Sequence, residues 1–180
     1  MTRYRDIPPA EMTADQRRVH EAILAGPRGN VAAPFRILLG SPELADRVQR
    51  LEEFLRYRSS LAPRLSELAI LATAHHWNAP FEWASHVPLA LKAGVPSEVI
   101  AAIESGRRPS FAQPDEAVVY DVATELLAAR DLSDSTFARA VECLGEMAVL
   151  DLVGLLGYYS LISILLTAYR VPPPEGRSST

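Results

Sequence analysis

Apolar residues recur along this chain at intervals of three and four between prolines, glycines and capping residues, and the strict alternation of a half-buried strand is nearly absent. The pattern predicts an all-α protein. Thr13 is placed to cap a helix reaching about Leu24, and GPRGNVAAP after it reads as a loop leading to a short turn at 35–39. Ser41 and Pro42 open a helix to about Tyr57. Pro63 stands where a first helical residue tolerates the missing amide proton, and the helix it opens runs to Trp77. Asn78 and Pro80 restart the chain as another helix that ends at Gly94, a residue suited to a left-handed C-terminal position. Pro96 opens a short helix stopping at Gly106, and starts at Pro114 and Ser133 complete the expected set. The punctuation divides the chain into an N-terminal arm at 1–12, one all-helical domain at 13–171 and a C-terminal tail at 172–180. The tail, PPPEGRSST, is expected to be extended and flexible.

Residues 152–168, LVGLLGYYSLISILLTA, form a run of 17 without a formal charge, close to the length of a membrane span. The run is short for that role, contains two glycines, two tyrosines and three hydroxyl side chains, and follows Glu146 and Asp151 closely. A helix apolar on all sides is better suited to a domain core and a subunit interface, where Gly154 and Gly157 permit close approach. The expectation is a homo-oligomer with no membrane partner.

Composition narrows the function classes. The chain has 180 residues, 48% hydrophobic and 22% charged, enough for one domain with a sizeable core. A net charge of -4 gives no sign of the concentrated basic face that a nucleic acid needs, although Arg56, Arg58 and Arg64 remain candidate contacts for a small anion. The single cysteine, Cys143, excludes an intramolecular disulfide, a Cys-X-X-Cys redox centre and a multi-cysteine zinc site, and is expected to be a buried apolar filler. The N-terminus lacks the apolar core of a secretory signal, which predicts a cytoplasmic protein.

The candidate chemistry gathers in residues 67–86, ELAILATAHHWNAPFEWASH, where two helices meet at Asn78, Ala79 and Pro80. At about 100° per residue, Glu82 and His86 lie roughly 40° apart on one face and about 6 Å apart along the axis. His75 lies about 80° round the preceding helix from Glu67 and is the expected neighbour of that carboxylate, while His76 points the opposite way. A carboxylate caught between helices and a histidine titrating near neutrality can pass protons at physiological pH. Structural readings stand beside this one: Glu67 paired with Arg64 on the helix surface, Glu82 and His86 as an ordinary exposed pair, and Trp77, Phe81 and Trp83 as core or interface aromatics. His75 and His76 could bind a metal with Glu82 or His86, but no His-X3-His pair or other standard ligand spacing is present, and no metal or cofactor is expected.

The segment SELAILATAHHWNAPFEWASHVPLALKAGVPSEVIAAI resembles the carboxymuconolactone decarboxylase and alkyl hydroperoxidase D-like family. In that family a glutamate on one helix faces a motif on the next that ends in histidine, followed by a small-residue helix, a Gly-Val or Gly-Leu turn and a short amphipathic helix. Glu67, His86, residues 90–93, Gly94-Val95 and residues 96–103 occupy those places, and the resemblance continues more weakly to VPPPEG. It implies an all-helical bundle assembled as a trimer or hexamer. The two cysteines of the peroxidase branch are replaced by Ala79 and Glu82, so thiol-dependent peroxide reduction lacks its sulfurs. Val87 and Pro88 follow the histidine where decarboxylases tend to carry a basic residue nearby.

The expected function is a cofactor-free, decarboxylase-like lyase or isomerase acting on a small carboxylated lactone or unsaturated acid by proton transfer. Glu67, Glu82 and His86 are the expected catalytic groups, and His75, Arg64 and Trp83 the expected substrate contacts, with Arg58 as an alternative anchor for a carboxylate. Two other readings are a non-catalytic oligomeric scaffold that lost the redox cysteines and a metal-assisted lactonase or hydrolase. An enclosed pocket with shifted ionisable groups beside His86 separates the enzyme from the scaffold.

Overall fold

The computed structural model describes residues 2–174, and within them the chain is all-α. The helices are α1 (Ala14–Ala25), α2 (Ala33–Leu38), α3 (Pro42–Tyr57), α4 (Pro63–His76), α5 (Pro80–Ala93), α6 (Ser97–Glu104), α7 (Pro114–Ala129), α8 (Asp134–Leu144) and α9 (Glu146–Tyr169). Their ends follow local chemistry. Thr13 and Gln16 form a reciprocal capping box at the start of α1, and Ser133 accepts the Thr136 amide at the start of α8. Proline opens α3, α4, α5 and α7. Gly94 closes α5 at φ 97, a conformation costly for any residue with a Cβ.

The structure adds one helix start to those expected from the sequence. Gly145, at φ 84, ends α8 and immediately precedes α9, so the apolar run at 152–168 belongs to a 24-residue helix beginning at Glu146. Within the N-terminal arm, the Arg3 amide donates to the Tyr169 carbonyl at 2.9 Å, and Tyr4 and Ile7 pack against the core. Most of the expected tail lies outside the described residues.

Helix α4 is the centre of the bundle, packed against α5, α6, α7 and α9. Every residue from Leu65 to Ala74 is buried, with Leu68, Ala69, Leu71 and Thr73 fully so. A helix surrounded in this way must be apolar or small on all faces, which explains its weak amphipathic pattern. The exceptions at its buried positions are Ser66, Thr73 and Glu67. Thr73 satisfies its hydroxyl on the Ala69 carbonyl at 2.8 Å, whereas a carboxylate needs partners from other helices.

Helix α9 packs on α4, α8, α3 and α2, and half of its most apolar window is buried inside the protein, as in the core helix of a globular domain. Its outer face leaves Met147, Leu150, Val153, Leu161 and Ile164 exposed. Gly154 lets Leu55 approach, since a Cβ there would meet its methyl at 3.4 Å. Cys143 is exposed on α8, contrary to the expectation of a buried filler: α8 is strongly amphipathic, and among the described residues it buries only Thr136 and Ala140.

The unequal burial gives a direct stability comparison. Leu68→Ala, at a fully buried position, is expected to lower the unfolding free energy by about 2–5 kcal/mol, while Leu150→Ala, at 72% exposure, should change it by about 0.5 kcal/mol or less. Urea denaturation of both variants measures the difference.

Candidate active site

The α4–α5 hairpin turns at Asn78, which takes the left-handed conformation at φ 47, and closes with the Ala79 amide on the Ala74 carbonyl at 2.9 Å. This sharp reversal lays α5 against α4. The buried positions of α5 are Glu82, His86 and Ala90, a stripe at helical spacing in which two of three members are ionisable. Ionisable side chains rarely fill such a stripe unless they are paired, and here they are.

His86 is clamped at both ring nitrogens. Nδ1 lies 2.7 Å from Glu67 Oε2, and Nε2 lies 3.4 Å from Glu82 Oε2. Glu67 Oε1 is 3.7 Å from Arg56 Nη2, and Arg56 Nη1 is 3.6 Å from Glu52 Oε1. Glu52 in turn pairs with Arg28, from the loop between α1 and α2. The result is a chain of alternating charge, Arg28–Glu52–Arg56–Glu67–His86–Glu82, with every side chain at most 21% exposed. Three carboxylates balance two guanidiniums, so the cluster is neutral only when His86 carries its proton. Burial opposes that charge, yet the hydrogen bonds to Glu67 and Glu82 outweigh it and raise the His86 pKa above the usual histidine value.

A cavity of about 60 Å3 adjoins both ends of this chain. Glu82, His86, Arg28 and Glu52 line it together with Phe35, Phe81, Tyr158 and Tyr159, so both ends of the charge chain meet the same space. Glu67 and Arg56 are not among its lining residues. The Tyr159 ring stands edge-on to His86, with centroids 5.1 Å apart. Burial raises the Tyr159 pKa far above the usual phenol value, Arg56 opposing and Glu82 and Glu67 reinforcing the shift, so its hydroxyl is a neutral donor. That hydroxyl has no hydrogen-bond partner among the described residues. Arg28 stacks over the Phe35 ring at 5.3 Å, and its Nε also lacks a hydrogen-bond partner among the described residues.

Glu67, Glu82 and His86, named from the sequence, meet in one buried cluster; Glu82 and His86 are not the exposed pair that their spacing also allows. The other expected contacts lie elsewhere. His75 is not beside Glu67: it is exposed at the end of α4 and meets Trp83 edge-on at 6.4 Å. His75 and Trp83 line a separate, wider pocket of about 350 Å3 with Asn78, Ala79, Pro80 and Glu104, sharing no residue with the His86 cavity. The narrower cavity is the one that joins ionisable groups to one another. Arg64 pairs with Asp115 at 2.8 Å and Glu116 at 2.6 Å on α7 instead of with Glu67, and Arg58 is an exposed partner of Glu53. Both arginines are ion-paired with acids outside the cavity.

Sequence reasoning missed Arg28, Glu52 and Tyr159. Glu52 falls in the buried register of α3 with Ala45, Val48 and Leu55, and a carboxylate at a core position was the available signal. Tyr159 stands in the buried face of α9 among Leu152, Leu155, Leu156 and Ile162, where its hydroxyl demands a partner. Arg28 lies in a loop without periodicity and gave no signal. Among the described residues, no group of three or more His, Cys, Asp or Glu is arranged to hold a metal ion.

Residues 42–125 match the model of the Carboxymuconolactone decarboxylase family, a segment that begins with α3 and ends within α7. The fold is similar to that of an alkylhydroperoxidase AhpD core, peroxidase-related protein from Ralstonia eutropha, with a TM-score of 0.77 at 12% identity over 97% of this chain and 93% of that one. It is also similar to the debrominase Bmp8, with a TM-score of 0.72 at 12% identity over 97% and 91%. A protein of unknown function from Agrobacterium tumefaciens, with a suggested AhpD antioxidant role, gives a TM-score of 0.68 at 16% identity over 76% and 94%. No curated protein matches the chain by sequence.

The clamp makes the His86 titration a test of the geometry. Glu67→Gln is expected to lower the His86 pKa, and Glu82→Gln to lower it by less, because its contact is longer. Both shifts can be read from the imidazole proton signals in NMR. Since the folded-state pKa is raised, protonated His86 stabilises the fold below the unfolded value of about 6.5, and this contribution is lost as pH rises through the folded pKa. Stability of the wild type should therefore fall across that window more steeply than that of Glu67→Gln.

Proposed function

Because residues 42–125 match the Carboxymuconolactone decarboxylase family model, and Ala79 and Glu82 stand where the resemblance places the cysteines of the peroxidase branch, we propose that the chain is a proton-transfer enzyme, a lyase or isomerase, acting on a small carboxylic acid. The observation that carries this reading is a buried histidine held between two carboxylates at the wall of a cavity. No sulfur is available in the hairpin for peroxide chemistry, whereas a proton donor and a proton acceptor are both in place.

His86 and Glu82, which line the cavity, are the catalytic residues of this scheme, and Glu67 is a positioning residue that fixes the His86 ring through Nδ1. In an isomerisation, the Glu82 carboxylate accepts a proton from a carbon beside a carbonyl group. The electron pair of that C–H bond moves into an enolate, and the His86 imidazolium returns a proton to a different carbon of the conjugated system. In a decarboxylation of an acid whose carboxyl-bearing carbon sits beside a carbonyl group, the bond between the carboxyl group and that carbon breaks, carbon dioxide leaves, and the electron pair is delocalised into the carbonyl as an enolate. His86 then supplies the proton that carbon needs. Either route is complete with protons from these side chains and solvent.

The cavity also favours the smaller of the substrate classes expected from the sequence. At about 60 Å3 it is less than half the size of a cavity of about 150 Å3 that holds benzene, so a short unsaturated or oxo acid fits more readily than a carboxylated lactone. Arg64 and Trp83 have no place at this cavity and are not retained as substrate contacts.

A screen of short unsaturated acids, oxo acids and carboxylated lactones, run in deuterated water, tests the proposal. Wild type should incorporate deuterium at carbon during turnover, and His86→Ala should lower kcat/KM by about 100-fold or more. With His86 as general acid, kcat/KM should decline as pH rises through a pKa above the ordinary histidine value. Equal turnover by wild type and His86→Ala would refute the assignment.

A further inference from the structure

Two residues that line the cavity beside His86 carry hydrogen-bond donors without a partner among the described residues. The Tyr159 hydroxyl is buried, in a residue 3% exposed, and has no partner among the described residues. Arg28 Nε is likewise buried and unpartnered there, although the same guanidinium is held by Glu52 and stacked on Phe35. An unsatisfied buried donor is costly, so such groups persist where water or a ligand completes them. The two donors differ in kind. Arg28 is a cation with a planar fork suited to a carboxylate, and Tyr159 is a neutral hydroxyl suited to a carbonyl or enolate oxygen. Both line the same space as Glu82 and His86.

We infer that Arg28 and Tyr159 form a two-point recognition site that selects short oxo acids, the carboxylate on Arg28 and the carbonyl oxygen on Tyr159, with the C–H carbon beside that carbonyl presented to Glu82 and His86. The inference rests on the proton-transfer reading and names its substrate class. It gives each donor a distinct role. Arg28 sets the requirement for negative charge, and the bond from Tyr159 strengthens as charge develops on the carbonyl oxygen. Glu52 is a positioning residue, since it holds the Arg28 guanidinium from the side of α3. The cavity size limits the acid to a few carbons.

Binding of three probes to the full chain separates the two contacts without requiring turnover. Pyruvate carries both groups, propionate lacks the carbonyl, and pyruvamide lacks the charge. In wild type, isothermal titration should rank pyruvate above propionate by about fivefold or more and above pyruvamide by about tenfold or more. Arg28→Gln should abolish the preference for pyruvate over pyruvamide, and Arg28→Lys should restore part of it. Tyr159→Phe should abolish the preference for pyruvate over propionate, and should leave thermal stability unchanged or raised, because it removes an unsatisfied hydroxyl. His86→Gln should still bind pyruvate in preference to both analogues. If that variant and wild type discriminate as stated but no turnover is found, the recognition site stands and the reaction assignment falls. Folded Arg28→Gln and Tyr159→Phe proteins that keep the wild-type ranking would overturn the inference, as would equal wild-type affinity for all three probes.

Discussion

The alternating charges that run from Arg28 through Glu52, Arg56, Glu67 and His86 to Glu82 constrain the rest of the molecule. Each of the three carboxylates sits at a helix position that would otherwise be core, Glu52 on α3, Glu67 on α4 and Glu82 on α5. An isolated buried charge would be prohibitive, and removing one member of such a set strands its neighbour, at a cost of about 3–5 kcal/mol. The helices must therefore pack so that each charge finds its opposite. The set reaches charge balance when His86 is protonated, a state that its raised pKa favours, and this links the protonation of one side chain to the packing of three helices and the loop after α1.

That linkage explains why α4 tolerates a glutamate in a segment of ten buried residues. Arg56 reaches Glu67 from α3 and His86 reaches it from α5, one on each carboxylate oxygen. Around the cluster the packing is apolar and tight, with Leu68 and Leu71 on α4 and Leu152 on α9 fully buried and Leu155 nearly so. The low dielectric that such packing creates raises the stakes of every pairing within it.

Replacing a thiol pair by Ala79 and Glu82 changes what the hairpin can exchange. A sulfur at position 82 would be a nucleophile one helical turn from His86; a carboxylate there is a hydrogen-bond partner of the same ring. The histidine still faces a glutamate of the preceding helix, and in the proposed function the redox chemistry of sulfur gives way to movement of protons. Tyr159 and Arg28 line the same cavity, and in the proposed function they supply a donor for oxygen and a cation for the acid group.

Local chemistry made most helices legible from the sequence: prolines at N1, Thr13 and Ser133 as caps, and Gly94 as a left-handed terminus act within a few residues of one another. The break at Gly145 went unread because a lone glycine between two helical patterns has no unique meaning until its φ is known. The same spacing rule put Glu82 and His86 on one face of α5, and the family pattern paired that face with Glu67. It misplaced His75, because angular position on one helix does not say which neighbour each face meets. Arg64 was a reasonable partner for Glu67 by spacing, yet α7 brings Asp115 and Glu116 against it. Arg28, Glu52 and Tyr159 lie on three segments far apart in the chain, and only tertiary packing brings them to one cavity. The sequence by itself determined where helices begin and which side chains could carry a proton, since those depend on near neighbours. The tertiary structure decided which of them are buried together, because burial and pairing depend on contacts between α3, α4, α5, α9 and the loop after α1 that no local spacing encodes.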